Sequence, residues 1–253
     1  MPKSRIAERD AREFDTTQLR ENGHGKILHR DYSAHFFRWS FARRFIKSTD
    51  HVLEVGCGED RPLSKILTNG AFAHVASYVG VDLNRLKPCG HARLTLIGEF
   101  NFVERYKELT RMAPKGSDGF DVIVTFEVVE HMHSKHMPTF MRGCFELLRP
   151  GGVLLLSTPV YDGKRMAANH INEMTVAELE AHALKAKFKV DQRFGTFMDI
   201  RHIGKAETER CELKAILAVR KALEAYFDND AISNIFGPLY PNHSRNNLWV
   251  LRK

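Results

Sequence analysis

Cysteine is scarce in this chain, and its spacing pairs none of it. Cys57, Cys89, Cys144 and Cys211 form no CxxC unit and no zinc-ligand run. That argues against a disulfide framework or a thiolate zinc site and fits reduced thiols in a cytoplasmic protein. Long apolar runs are missing too. The longest, such as Gly152–Leu156, fall far short of a bilayer span. The stretch MPKSRIAERDAREFD is charged throughout, without the apolar core of a signal peptide. No internal repeat, low-complexity tract or Pro/Gly-rich linker divides the sequence. An acidic excess is also absent. The formal net charge is +7, a balance that suits an anionic partner such as nucleic acid, a nucleotide or an acidic lipid surface, or that serves solubility alone.

What is present is a chain of 253 residues, 43% of them hydrophobic, enough to build one large α/β domain around a real core. Short Val/Ile/Leu-rich runs alternate with helical patterns. The expected strands are His51–Val55, Tyr78–Asp82, Arg93–Ile97, Asp121–Phe126, Gly152–Ser157, Phe188–Phe194 and Asn247–Arg252. The expected helices are Ser33–Lys47, Pro62–Thr68, Phe102–Met112, Met137–Leu148 and Thr175–Lys187, the last opened by a Thr175/Glu178 capping box. Strands so apolar, separated by helices, indicate a mostly parallel sheet of seven strands covered on both faces. Residues 1–50 read as an N-terminal helical cap and 51–253 as the main domain. An insertion at about 200–246 comprises a helix over Ala206–Phe227 and a Gly/Pro/Asn-rich loop over Asn234–Asn247.

Three motifs sit at strand ends. In VLEVGCGED a buried strand runs into a Gly-x-Gly turn, and Gly56 and Gly58 let the backbone bend and lie directly against a ligand. A third glycine, usual in dinucleotide loops, is replaced by Asp60, and Glu59 adds a second acid. Two acids there repel a phosphate and suit a cationic ligand such as the sulfonium and ammonium of S-adenosylmethionine. In YVGVDLN, Asp82 ends the next strand, where a carboxylate can accept both hydroxyls of a ribose; a cap on the following turn is the plainer role. In LIGEF, Glu99 can accept an adenine amino group while Phe100 meets the ring face, or Phe100 is simply a core residue.

VLEVGCG, YVGVDLN, Glu99, FDVIVTFEVVEHM and LLRPGGVLLLSTP stand in an order that resembles class I S-adenosylmethionine-dependent methyltransferases. They look most like the broad branch that includes ubiquinone-pathway O-methyltransferases. The resemblance covers about Val52–Pro159 and extends more loosely through Ala168–Leu179. It implies a Rossmann-like methyltransferase sheet with Glu54, Gly56, Gly58, Leu83 and Phe126 lining the cofactor. Asp82 then holds the ribose, and Glu99 with Phe100 the adenine. On the helix DYSAHFFRWSFARR it implies an arginine paired with the cofactor's methionine carboxylate, for which Arg38 is the best placed. Tyr32 and His35 would close over the pocket.

A fourth constellation, FEVVEHM, leaves the end of the fourth strand. Glu127, Glu130 and His131 have a spacing able to hold a divalent metal, magnesium or manganese, with His170 as a further ligand. Small-RNA 2′-O-methyltransferases use similar residues, and many relatives carry such a stretch without metal. His133 and His136 are expected to be solvated. His131 leads as general base, with His170 next and Glu130 as an orienting or metal-binding partner. The expected activity is methyl transfer to an oxygen or nitrogen of a small or medium-sized acceptor. A nucleic-acid or nucleotide methyltransferase is the second reading, and a non-catalytic cofactor- or partner-binding module the third.

Overall fold

The computed structural model describes residues 13–14, 30–58, 75–88, 90–114, 116–164, 166–198 and 211–253. Glu59, Asp60, the helix expected at Pro62–Thr68, Cys89 and the start of the expected insertion at 199–210 lie outside the described residues, as do the side chains of Tyr32, His35 and Cys211.

Seven described strands form one sheet: β1 (His51–Val55), β2 (Ser77–Val81), β3 (Leu94–Ile97), β4 (Phe120–Phe126), β5 (Leu148–Pro159), β6 (Lys189–Gly195) and β7 (Asn246–Arg252). Their order is β3-β2-β1-β4-β5-β7-β6. The pairs β3–β2, β2–β1, β1–β4 and β4–β5 are parallel. Gly151 N–H donates to Lys253 O and Lys253 N–H to Gly152 O, so the end of β7 lies beside the start of β5 and runs against it. Central strands are buried along nearly their whole length, Val122–Val124 and Leu154–Leu156 among them, as expected where apolar runs show no alternation. β5 is longer than its apolar run. Leu148 already pairs with Phe120, and the register shifts between Phe120 and Val122.

The described α-helices are α1 (Arg30–Ala42), α2 (Phe102–Arg105), α3 (Met137–Leu147), α4 (Val176–Lys185), α5 (Cys211–Leu223) and α6 (Asn229–Phe236). The helix expected over Phe102–Met112 is α only to Arg105 and then tightens to a 3₁₀ helix over Tyr106–Met112. Its buried residues, Tyr106 and Leu109, are three apart, the repeat of that tighter winding. α3 buries Phe140, Met141, Cys144 and Leu147, one stripe at helical spacing. α4 opens with both halves of the Thr175/Glu178 capping box.

The chain divides into two compact units. One comprises Met1–Thr17, Ala42–Gln192 and Trp249–Lys253; the other comprises Gln18–Phe41 and Arg193–Leu248. The second has its own small core of Met198, Ile232 and Phe236, with Ile216, Leu217, Leu223 and Tyr240 packed on it. The Gly/Pro/Asn-rich loop expected from Asn234 is a correction. Asp228 caps α6 by accepting from Ala231 N–H at 2.8 Å. Ile232 and Phe236, four residues apart, then face the core, and two 3₁₀ turns at Gly237–Leu239 and Pro241–His243 follow, each with proline in its first turn.

Candidate functional site

β1 has β2 on one side and β4 on the other, so the direction of winding reverses between β1 and β4. In open α/β sheets the crevice outside the carboxyl ends of the strands at such a point is where ligands bind. Gly56 (φ 76°) and Gly58 (φ 65°) both adopt the left-handed conformation that glycine takes without penalty. A Cβ on Gly56 would stand 2.3 Å from Val128 Cγ2, so the turn after β1 lies hard against the segment after β4. A Cβ on Gly58 would meet nothing within 4 Å. Among the described residues, nothing covers that peptide.

Beside it, Asp82 is gripped by backbone amides. Gly58 N–H donates to its Oδ2 at 2.9 Å and Asn84 N–H to its Oδ1 at 2.8 Å. Phe100 N–H donates to Asp82 O and Glu99 N–H to Asn84 O, tying the end of β3 to the end of β2. Each Asp82 oxygen keeps a lone pair for a hydroxyl donor. Leu83 next to it is exposed, an apolar surface at the crevice, and Glu99 is exposed with φ 53°. Glu54 on β1 is buried, and Tyr78 OH donates to its Oε2. Burial pushes the Glu54 carboxyl up to about 8, opposed by the Tyr78 bond and reinforced by the charge of Asp82. A cation set between Glu54 and Asp82 would relieve both effects.

The segment after β4 carries the second half. Glu127 is left-handed (φ 56°), its N–H donates to Ser157 O at 3.0 Å, and its Oε1 accepts from Ser157 Oγ at 2.7 Å. Glu130 is fully buried. Thr158 Oγ1 donates to its Oε2 at 3.1 Å, whereas its Oε1 has no hydrogen-bond partner among the described residues. Burial first, and the Glu127 charge second, push the Glu130 carboxyl well above the usual carboxylate range. His131 Nδ1 lies 3.1 Å from Asn169 O. A carbonyl only accepts, so Nδ1 carries the proton and Nε2 is the free nitrogen. His170 Nδ1 lies 2.5 Å from Glu173 Oε1, and the two imidazoles meet edge to face at 4.9 Å.

Glu130, His131 and His170 each offer a ligand atom within 4.8 Å of the others. A buried carboxylate oxygen with no partner among the described residues, plus two imidazoles whose Nδ1 atoms are held by outer acceptors, fits a divalent cation. Glu127 stands outside that group of three.

Of the remaining expected residues, three are buried and two half-buried. Phe100 and Phe126 are buried, Phe100 within the main core with the Arg105 guanidinium 4.6 Å from its ring centroid. Arg38 is buried on α1 and belongs to the second unit. His133 and His136 are half-buried, not solvated. His133 N–H donates to Glu13 O at 2.9 Å, and His136 Nε2 pairs with Glu13 Oε2 at 2.5 Å and stacks on Phe14. Tyr78, Ser157, Thr158 and Glu173 were not singled out by the sequence. Only Glu173, three residues after a candidate ligand, left a signal there.

Similarity to known proteins agrees with this geometry. The methyltransferase domain family matches residues 26–206. A protein of Mycolicibacterium smegmatis named "Probable S-adenosylmethionine-dependent methyltransferase" is 33% identical over 168 residues, 60% of each chain. The ubiquinone biosynthesis O-methyltransferase of Dechloromonas aromatica is 32% identical over 108 residues, 42% of this chain and 43% of that protein. The chain thus spans roughly half the length of these relatives. Among solved structures, an S-adenosylmethionine-dependent methyltransferase from Archaeoglobus fulgidus superposes with a TM-score of 0.57 at 15% identity, covering 88% of this chain and 94% of that one. The methyltransferase domain of bacterial CtHen1 superposes with a TM-score of 0.52 at 21% identity, covering 87% and 100%. The [4+2]-cyclase SpnF does so with a TM-score of 0.53 at 12% identity, covering 98% and 89%, so the fold by itself does not fix the reaction. With the family match spanning most of the chain, the protein belongs to the methyltransferase domain family.

Proposed function

We propose that this chain transfers a methyl group from S-adenosylmethionine to an oxygen or nitrogen of a small or medium-sized acceptor. One observation carries the reading: Gly56 packs against Val128, which sets the glycine turn and Asp82 beside the Glu130–His131–His170 cluster. The donor group is on one side of that contact and proton chemistry on the other. When bound, S-adenosylmethionine supplies an electrophilic methyl group on a sulfonium. Asp82 accepts the ribose hydroxyls, Glu99 the adenine amino group, and Leu83 covers the base. Asp82 supplies negative charge for the cationic end, and buried Glu54, which keeps its proton up to about pH 8, ionises only with a cation beside it.

His131 is the general base. Its Nδ1–H is committed to Asn169 O, so Nε2 presents a lone pair to an incoming hydroxyl or ammonium proton. His170 and Glu130 each offer a polar atom within 4.8 Å of one on His131. The same atoms form the ligand set for magnesium or manganese, which would hold an acceptor hydroxyl and lower its pKa. His131 Nε2 cannot be ligand and base at once. Turnover that survives exhaustive chelation supports the base; turnover restored only by added Mn²⁺ supports the ligand. An oxygen acceptor is favoured by the relatives named ubiquinone biosynthesis O-methyltransferases.

The test is direct. His131→Ala should lose most turnover at saturating acceptor while still binding S-adenosylhomocysteine; undiminished turnover would falsify the assignment. The net charge of +7 favours a second reading, a nucleic-acid acceptor. Acceptor affinity that falls steeply with salt would select it over a small neutral molecule.

A further inference from the structure

We propose that Glu173 is a positioning residue that fixes His170 for its part in the cluster, an inference that rests on the reading of that cluster given above. His170 lies in the loop between β5 and α4. Tyr161 N–H donates to Met174 O, and Val160 bridges Met174 in parallel, closing the loop at its ends. Inside it, Ile171 N–H and Asn172 N–H both donate to Glu130 O, at 2.9 and 3.0 Å. The loop is therefore hung on the backbone of the residue whose side chain it faces.

Within that frame Glu173 Oε1 receives two groups, Ala167 N–H at 3.0 Å and His170 Nδ1 at 2.5 Å. Its side chain is 8% exposed and that of His170 15%, so water competes weakly for either. An ionised carboxylate can only accept, which puts the proton on Nδ1 and leaves Nε2 with its lone pair beside Glu130 and His131. A carboxylate on the far nitrogen also makes Nε2 a stronger donor to a proton or a cation, the arrangement of outer carboxylates behind metal-bound histidines. The competing role is structural: Glu173 would merely close the loop through Ala167.

Two variants and two readouts separate these roles. Glu173→Gln keeps a carbonyl oxygen for Ala167 N–H and removes the charge; Glu173→Ala removes both. Mn²⁺ affinity of the whole protein, read by calorimetry or by loss of the free-ion resonance, should fall roughly 10–100-fold in Glu173→Gln. S-adenosylhomocysteine affinity and Tm should stay near those of the parent. Nitrogen-15 spectra of labelled histidine at about pH 8, assigned with His170→Ala, should show His170 as the Nδ1–H tautomer in the parent and a shift towards Nε2–H in Glu173→Ala. If the parent binds no Mn²⁺, the metal reading fails and the tautomer still decides Glu173. The proposal is overturned by an unchanged tautomer in Glu173→Ala, or by Mn²⁺ affinity in Glu173→Gln within twofold of a parent that binds the ion. It is equally overturned if Tm and S-adenosylhomocysteine affinity of Glu173→Gln fall in step with Mn²⁺ affinity.

Discussion

Thr158 Oγ1 donates to Glu130 Oε2 at 3.1 Å, the side-chain bond that holds one edge of a carboxyl whose other edge is buried with no partner among the described residues. Removing the hydroxyl with Thr158→Val keeps the shape and leaves both oxygens unsatisfied. An unmatched buried acceptor costs about 1–3 kcal/mol, so urea unfolding should show a loss of that size. Turnover should fall about tenfold as the carboxyl drifts from its place. A Thr158→Val protein with parental stability and rate would show that the bond orients nothing.

Asp82 is bonded by two amides and has lone pairs to spare. Asp82→Ala should weaken S-adenosylhomocysteine binding roughly 10–100-fold, the worth of one or two bonds to a charged acceptor. Titration calorimetry measures it directly. An affinity within twofold of the parent would remove Asp82 from the ribose site and leave it as a tie between Gly58 and Asn84.

Glu54 sets a pH dependence of stability. Burial, with Asp82 adding to it, raises its folded pKa from 4.5 to about 8. The folded chain keeps a proton that the unfolded chain releases between those values. Stability is therefore fullest below about pH 4.5 and declines as pH rises through about 8. Glu54→Gln removes this term. Its stability should change less between pH 5 and 9, and at pH 9 it should exceed the parent by an amount on the order of a few kcal/mol. Parallel curves for the two proteins would refute the burial argument.

Glu99 holds φ at 53° without being glycine, a conformation that costs an L-residue about 1–2 kcal/mol. Glu99→Gly should relieve part of that strain and raise Tm by about 2–4 °C for a chain of this size. S-adenosylhomocysteine affinity should drop several-fold at the same time. A gain in both would show that the carboxylate does not touch the ligand.

The sheet was legible because its strands are buried on both faces, and continuous runs such as DVIVTF and GGVLLLS leave little alternative. Asp82 and the glycines were legible because a motif fixes their place at strand ends. Ser157 and Thr158 were not, since hydroxyl residues at the end of a strand look like ordinary strand composition, and their partners lie 30 and 28 residues away. Glu13 was further out of reach, paired with residues 122 and 123 positions on. The end of α6 hid behind its own composition: a loop is expected from Asn234, while the Asp228 cap and the four-residue spacing of Ile232 and Phe236 carry the helix on to Phe236. Phe100 was open to two readings, and it is packed into the core.

The two halves of the site are fastened by different means. Asp82 is held by the main-chain N–H groups of Gly58 and Asn84, the first of them presented by a left-handed glycine. Glu127, Glu130 and His170 are held by the side chains of Ser157, Thr158 and Glu173, each of which a single substitution removes. What holds Asp82 at the end of β2 is thus main chain, and what holds the carboxylates and imidazole after β4 is side chain.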